Sequence, residues 1–220
     1  METLNNFTHQ KPRPLPVIIA VDRSGSMSVD GKITALNYAL NEFVDSMKKE
    51  SSSVAEIQLA LFSFGANGVT CDMPLTPLEQ FQFAGFIAQG NTPMGEAFQL
   101  IKEMIEDRER VPSRAYRPTI VLLTDGQPND DEWETKLAQL INDGRSSKAF
   151  RIAMAIGEDA DKEMLMQFVS NPEYLVSGEN ARDIYKFFRF VTMSVTQRLK
   201  SQSPDQIAAP VIPSDDIIDF

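Results

Sequence analysis

A chain of 220 residues with 21 Lys+Arg against 31 Asp+Glu, a formal net charge of -10 at pH 7, can bury one core of ordinary size and leaves little room for a second. The charge repels phosphate backbones and anionic membrane surfaces, and no basic patch offsets it, so neither nucleic acid nor membrane is an expected partner. A lone cysteine, Cys71, excludes an intramolecular disulfide, and the absence of a basic-then-apolar start or of a long apolar run makes a soluble cytoplasmic protein the expectation.

Residues 1–15 read as an extended lead-in. Pro12 and Pro14, followed by Pro16, remove backbone donors and oppose both helix and central strand. The folded domain is expected over 16–200, with its first strand near Val17. Three nearly continuous apolar runs, VIIAV (17–21), TIVLL (119–123) and RIAMAI (151–156), suit parallel strands covered on both faces, because alternation is expected only where one face is wet. EIQLALFSFG (56–65) reads as another strand, paired through a tight turn at Asn67-Gly68 with an antiparallel edge strand over 69–75.

Between these runs the period changes to that of a helix. Ile33, Leu36, Leu40, Phe43, Val44 and Met47 form one apolar stripe, with Lys32, Asn41, Asp45 and Lys48 largely off it. Thr92-Pro93 predicts a helix start, threonine capping free amides ahead of a stripe running from Met94 to Ile105. Further helices are expected at about 131–143, 161–169 and 181–200, the last capped by Asn180 with Asp183 in its first turn. Strands alternating with helices predict a doubly wound, Rossmann-like α/β fold: a mostly parallel sheet with one antiparallel edge strand and helices on both faces. Residues 201–220, rich in proline and aspartate, read as an acidic flexible tail or a docking peptide.

In such a sheet, ligands gather beyond the carboxyl ends of the strands. The first strand runs into Asp22-Arg23-Ser24-Gly25-Ser26, a later one into Thr124-Asp125-Gly126-Gln127-Pro128, and Gly90-Asn91-Thr92-Pro93 supplies a third hydroxyl-bearing loop. Carboxylates and hydroxyls without histidine or thiol are hard donors, suited to Mg²⁺, Mn²⁺ or Ca²⁺ rather than zinc or copper. Taken singly, each stretch has a plainer use as turn or helix-cap chemistry; their joint placement on one rim favours a metal seat. The run Asn129-Asp130-Asp131-Glu132 reads as negative charge at a helix N-terminus rather than as a second metal site. Cys71 reads as a small edge-strand side chain, and the only histidine, His9, lies in the lead-in.

The order Asp22-x-Ser24-x-Ser26, then Thr92, then Asp125 within TDGQP resembles the metal-ion-dependent adhesion site of von Willebrand factor A (vWA) domains, over roughly Val17 to Lys200. The resemblance implies that Ser24, Ser26 and Thr92 contact a metal through hydroxyls, with Asp22 and Asp125 binding it directly or through water. It also implies a binding module, not an enzyme, in which an acidic residue of a protein partner completes the coordination of Mg²⁺. In its size, its LPV lead-in and its early DxSGSM, the chain is similar to the bacterial TerY-like branch linked to tellurium resistance. That likeness implies an adaptor in a stress or defence complex, with a kinase or phosphatase encoded nearby as partner. Arg23 departs from the small or neutral residue common at its place; pointing outward, it could clamp a partner's carboxylate bidentately. The acidic tail carries oxygens of the type the seat accepts, so it could fill the site or that of a neighbouring molecule. The alternative, an Mg²⁺-dependent phosphoryl-transfer enzyme of phosphatase type, wants a second carboxylate where Ser24 stands, and no phosphate-binding GxxxxGK[ST] loop is present.

Overall fold

The computed structural model describes residues 12–50, 55–65 and 68–206. Its central strand β1 (Arg13–Asp22) pairs in parallel with β2 (Ala55–Gly65) along its whole length. On its other flank β4 (Thr119–Thr124) joins only from Val17 onward. β1 therefore begins four residues before the expected start at Val17, and two prolines lie inside it. The pairing explains why they fit. The Pro14 carbonyl accepts the Tyr116 N–H at 2.9 Å, so Pro14 faces the flank where β4 has not yet begun. N–H and C=O of one strand residue share a side, and Pro16, two residues on, faces the same way; neither missing donor removes a bond to β2.

The antiparallel edge strand is β3 (Gly68–Pro77), whose pairing with β2 slips near Leu61. Of the expected turn, Gly68 stands in β3 and Asn67 lies outside the described residues. β5 (Phe150–Ile156) follows β4, and a sixth strand that the sequence pattern did not predict, β6 (Leu175–Gly178), adds in parallel at the far edge. The order is β3-β2-β1-β4-β5-β6, a doubly wound, mostly parallel sheet with one antiparallel edge strand.

The helices are α1 (Lys32–Lys48), α2 (Met94–Glu106), α3 (Trp133–Asn142), α4 (Lys162–Phe168) and α5 (Ala181–Lys200). α1 packs on α5, with the Phe43 and Phe188 rings 6.1 Å apart. On the opposite face α2 packs on α3 and reaches α4 through stacked Phe98 and Phe168 rings at 5.9 Å. Both faces of the VIIAV run are thus covered and all five of its side chains are buried, each larger one worth about 1.5–3 kcal/mol relative to exposure.

Two helix starts differ from expectation. Thr92 does not cap α2 through its side chain. The carboxylate of Asp130 does so from the loop after β4, accepting the Gly95 and Glu96 N–H groups at 3.0 and 2.7 Å. The acidic run thus serves the neighbouring helix; α3 starts later, at Trp133, behind Glu132 in a left-handed conformation (φ 61°). The cap of α5 is as expected, Asn180 accepting the Arg182 N–H at 2.9 Å.

The expected flexible tail does not begin at 201. The Pro204 carbonyl accepts from the buried Arg198 guanidinium at 2.9 Å and Asp205 accepts the Arg117 N–H at 2.8 Å, tying Ser201–Gln206 to the base of the sheet. Residues 207–220, with the acids expected to reach the metal seat, lie outside the described residues, as do residues 1–11 with His9.

Candidate metal centre

β1 and β4 are adjacent parallel strands, yet their connections leave toward opposite edges of the sheet. This switch point opens a crevice beyond their carboxyl ends. Asp22 ends β1 and Asp125 follows β4, and both are almost wholly buried, at 0% and 2% exposure.

Hydrogen bonds link the loops into one network. Asp22 Oδ1 accepts the Ser24 N–H at 2.7 Å, which folds the chain back over the strand end. Asp22 Oδ2 accepts the Thr124 hydroxyl at 2.6 Å. The Ser24 and Ser26 hydroxyls lie 3.0 Å apart, and Ser26 donates to Asp125 Oδ1 at 2.6 Å. The Thr92 loop is fastened on both sides: Gly25 N–H donates to Gly90 O, Gln89 N–H to Arg23 O, and Asn129 accepts the Thr92 N–H. Gly126 supplies the space between the loops. A Cβ there would stand 3.5 Å from Thr92 Oγ1 and 4.0 Å from Asp22 Oδ2, so hydroxyl and carboxylate face the same small volume. Asp22, Ser24, Ser26 and Asp125 therefore meet directly, and Thr92 closes the group across Gly126.

Two neighbours escaped the sequence reading. Thr124, read there only as part of the loop sequence, holds Asp22 in orientation. Lys32, noted there only as largely off the apolar stripe, donates its ammonium to Asp125 Oδ2 at 2.8 Å, with the lysine side chain 14% and the aspartate side chain 0% exposed. A signal for it existed: a basic residue opening a helix stands at the end of the macrodipole that favours acids.

Arg23 turns away from this network. Its guanidinium carbon lies 5.9 Å from the Phe86 ring centre, its Nε is buried with no hydrogen-bond partner, and it lines a cleft of about 360 Å³ with Asp72, Met73, Phe83, Phe86 and Ile87. Burial pushes Asp72 above the ordinary carboxyl range, and the nearby Arg23 charge opposes that rise.

Burial also pushes the Asp22 carboxyl up to about 6, with the neighbouring Asp125 charge adding to the rise and the bonds from Thr124 and Ser24 opposing it. A buried carboxylate gains most from a cation within reach. Among the described residues no group of three or more His, Cys, Asp or Glu is placed to hold a metal. A cation here would rest on two carboxylates and three hydroxyls, oxygen chemistry suited to a hard divalent ion.

The sequence model of the von Willebrand factor type A domain matches residues 17–189. An uncharacterized protein of Mycobacterium tuberculosis, Rv2850c, is 32% identical over 116 residues, covering 50% of this chain and 17% of that protein, so the chain spans under a fifth of this relative's length. Solved structures share the fold at low identity. A von Willebrand factor type A structure from Catenulispora acidiphila has a TM-score of 0.64 at 16% identity, covering 84% of this chain and 43% of that one. The pilus adhesin SpaC of Lactobacillus rhamnosus GG has a TM-score of 0.69 at 13% identity, covering 86% and 31%. Proximal thread matrix protein 1 of the mussel byssus, in a form with a zinc-occupied MIDAS motif, has a TM-score of 0.61 at 16% identity, covering 84% and 48%. With a matched segment that runs from the second half of β1 into α5 and encloses both carboxylate-bearing strand ends, the chain belongs to the von Willebrand factor type A domain family.

Proposed function

We propose that the domain is a metal-dependent protein-binding module, an adaptor without catalysis of its own. Ser24, Ser26 and Thr92 hold a divalent cation through their hydroxyls, and Asp22 and Asp125 hold it directly or through water. The observation that carries this reading is the single network joining Asp22, Ser24, Ser26 and Asp125 at the switch point, closed by Thr92 across Gly126. When bound, the ion supplies a Lewis-acidic position for an outside oxygen. The protein's own residues bury the two carboxylates and fix the hydroxyls, with Gly25 and Ser26 exposed at the rim that a partner's aspartate or glutamate would approach. Arg23, in the cleft beside the seat and with an unpartnered Nε, is suited to a second carboxylate of the same partner.

Mg²⁺ is the proposed ion, with Mn²⁺ or Ca²⁺ as substitutes. The zinc reported for the mussel protein makes Zn²⁺ a necessary comparison. The setting proposed from the sequence resemblance is a cytoplasmic bacterial stress or defence complex of the TerY-like, tellurium-resistance type, with a kinase or phosphatase encoded nearby as partner. The acidic tail, with carboxylates of the type the seat accepts, is the proposed route to self-association.

The test is titration of each ion by calorimetry, together with affinity capture from the native cell with and without chelator. Asp22→Ala should abolish ion binding and lower partner capture at least about tenfold while circular dichroism stays that of the wild type. Equal capture by the variant, or capture indifferent to chelator, would overturn the metal-dependent mechanism.

A further inference from the structure

Lys32 is placed at a cost. It is the first residue of α1, whose first turn holds no acidic residue, so its ammonium stands at the positive end of the helix dipole. The backbone before it is in the left-handed region at both Asp30 (φ 53°) and Gly31 (φ 72°), a conformation that glycine adopts freely and that aspartate tolerates better than most other residues. This double turn brings the start of α1 to the rim, where Lys32 Nζ meets Asp125 Oδ2 at 2.8 Å while Ser26 holds Oδ1 at 2.6 Å. The ammonium is thus the counter-charge of one of the two carboxylates proposed to hold the ion.

We propose that Lys32 is a built-in competing cation, which weakens the seat's hold on its divalent ion and leaves the loaded site with a net positive charge that favours an incoming carboxylate. The inference rests on the metal-dependent reading above. Two carboxylates alone would be neutralised by a divalent ion; with Lys32 beside them, the seat is singly negative when empty of metal and singly positive when loaded. Like charges held a few ångströms apart in a partly buried site repel strongly, so the ion is made exchangeable. The same positive charge gives a partner's aspartate or glutamate an electrostatic gain that a neutral site would lack.

The experiment is Mg²⁺ and Mn²⁺ titration of the full chain by calorimetry, with thermal melts in chelator and in saturating Mg²⁺, for the wild type, Lys32→Met, Lys32→Arg and Asp22→Ala. Lys32→Met should bind Mg²⁺ at least about tenfold more tightly, and Lys32→Arg, which keeps the charge, should stay within about threefold of the wild type. In chelator Lys32→Met should melt below the wild type, and its rise on adding Mg²⁺ should be the larger of the two. A lysine with a merely structural role would lower both melts alike. Mg²⁺ affinity in Lys32→Met equal to or weaker than the wild type, with Asp22→Ala still abolishing binding, overturns this inference and leaves the metal seat standing. Failure of the wild type and every variant to bind either ion overturns both.

Discussion

Asp22 is the residue on which fold and site most directly conflict. Strand β1 buries its last position, yet the proposed seat needs a carboxylate there, and the group stands 0% exposed with its ordinary value of 3.8 raised to about 6. The consequence for stability has a definite sign. Below about pH 4 folded and unfolded chains both hold the proton and the shift costs nothing. As pH rises the unfolded chain releases it first, and by the time pH passes about 6 the folded state has lost about 3 kcal/mol on this account. Asn in place of Asp22 keeps an oxygen for the Ser24 N–H and removes the charge. In chelator, urea unfolding should therefore show Asp22→Asn gaining on the wild type by about 2 kcal/mol between pH 4.5 and 7.5, the remainder of the loss falling already below pH 4.5. A stability difference independent of pH would contradict the burial of an ionised carboxyl. Asp22, Ser24, Ser26, Thr92 and Asp125 could be proposed as a donor set from the sequence because their types and order carry the chemistry, and the structure brings them to one rim. Lys32 and Thr124 could not, since one lysine or threonine looks like any other until a distance places it beside a carboxylate.

Among the elements, the errors share a cause. The prolines of β1 argued against a strand because the pattern cannot tell which flank of a strand is paired, and the structure turns both toward the flank without a ladder. β6 is only four residues, LVSG, too short for a period and specified by the groove beside β5 rather than by its own preference. The start of α2 was assigned to Thr92 on local chemistry, whereas Asp130 from a distant loop makes the bonds. That contact also holds α2 against α3, and Gly95 lies at the crossing, where a Cβ would come 2.7 Å from Trp133 Cα and 2.8 Å from Asp130 Oδ2. Neither backbone nor capping carboxylate can give way cheaply. Gly95→Ala should therefore lower stability by about 1–3 kcal/mol despite the better helix propensity of alanine, read as the shift in urea midpoint. A stabilised variant would show that the two helices are free to separate.

For the whole molecule, the core and the seat are separable. Covered on both faces by the helices α1 to α5 of the described residues, the sheet buries an apolar core continuous from β1 through α5, which supports the fold whatever the state of the rim. Mg²⁺ should accordingly tune stability rather than create it. The melting temperature should rise with the logarithm of Mg²⁺ concentration above the dissociation constant, by the equivalent of about 2.7 kcal/mol at a hundredfold excess over it. Sodium chloride at matched ionic strength should not reproduce the rise, and if it did, screening of the net charge of -10 would be the explanation instead.

Residue type and spacing alone determined the α/β class, the five main strands, the five helices and the candidate donor set, because apolar periodicity and oxygen chemistry are properties of neighbouring positions along the chain. Only the tertiary structure decided that Asp130 caps α2, that Ser201–Gln206 is anchored through Arg198, that Arg23 faces a cleft and that Lys32 reaches Asp125, 93 positions away. Each of these depends on which distant groups the sheet order brings within hydrogen-bond reach, and such distances have no period in the sequence.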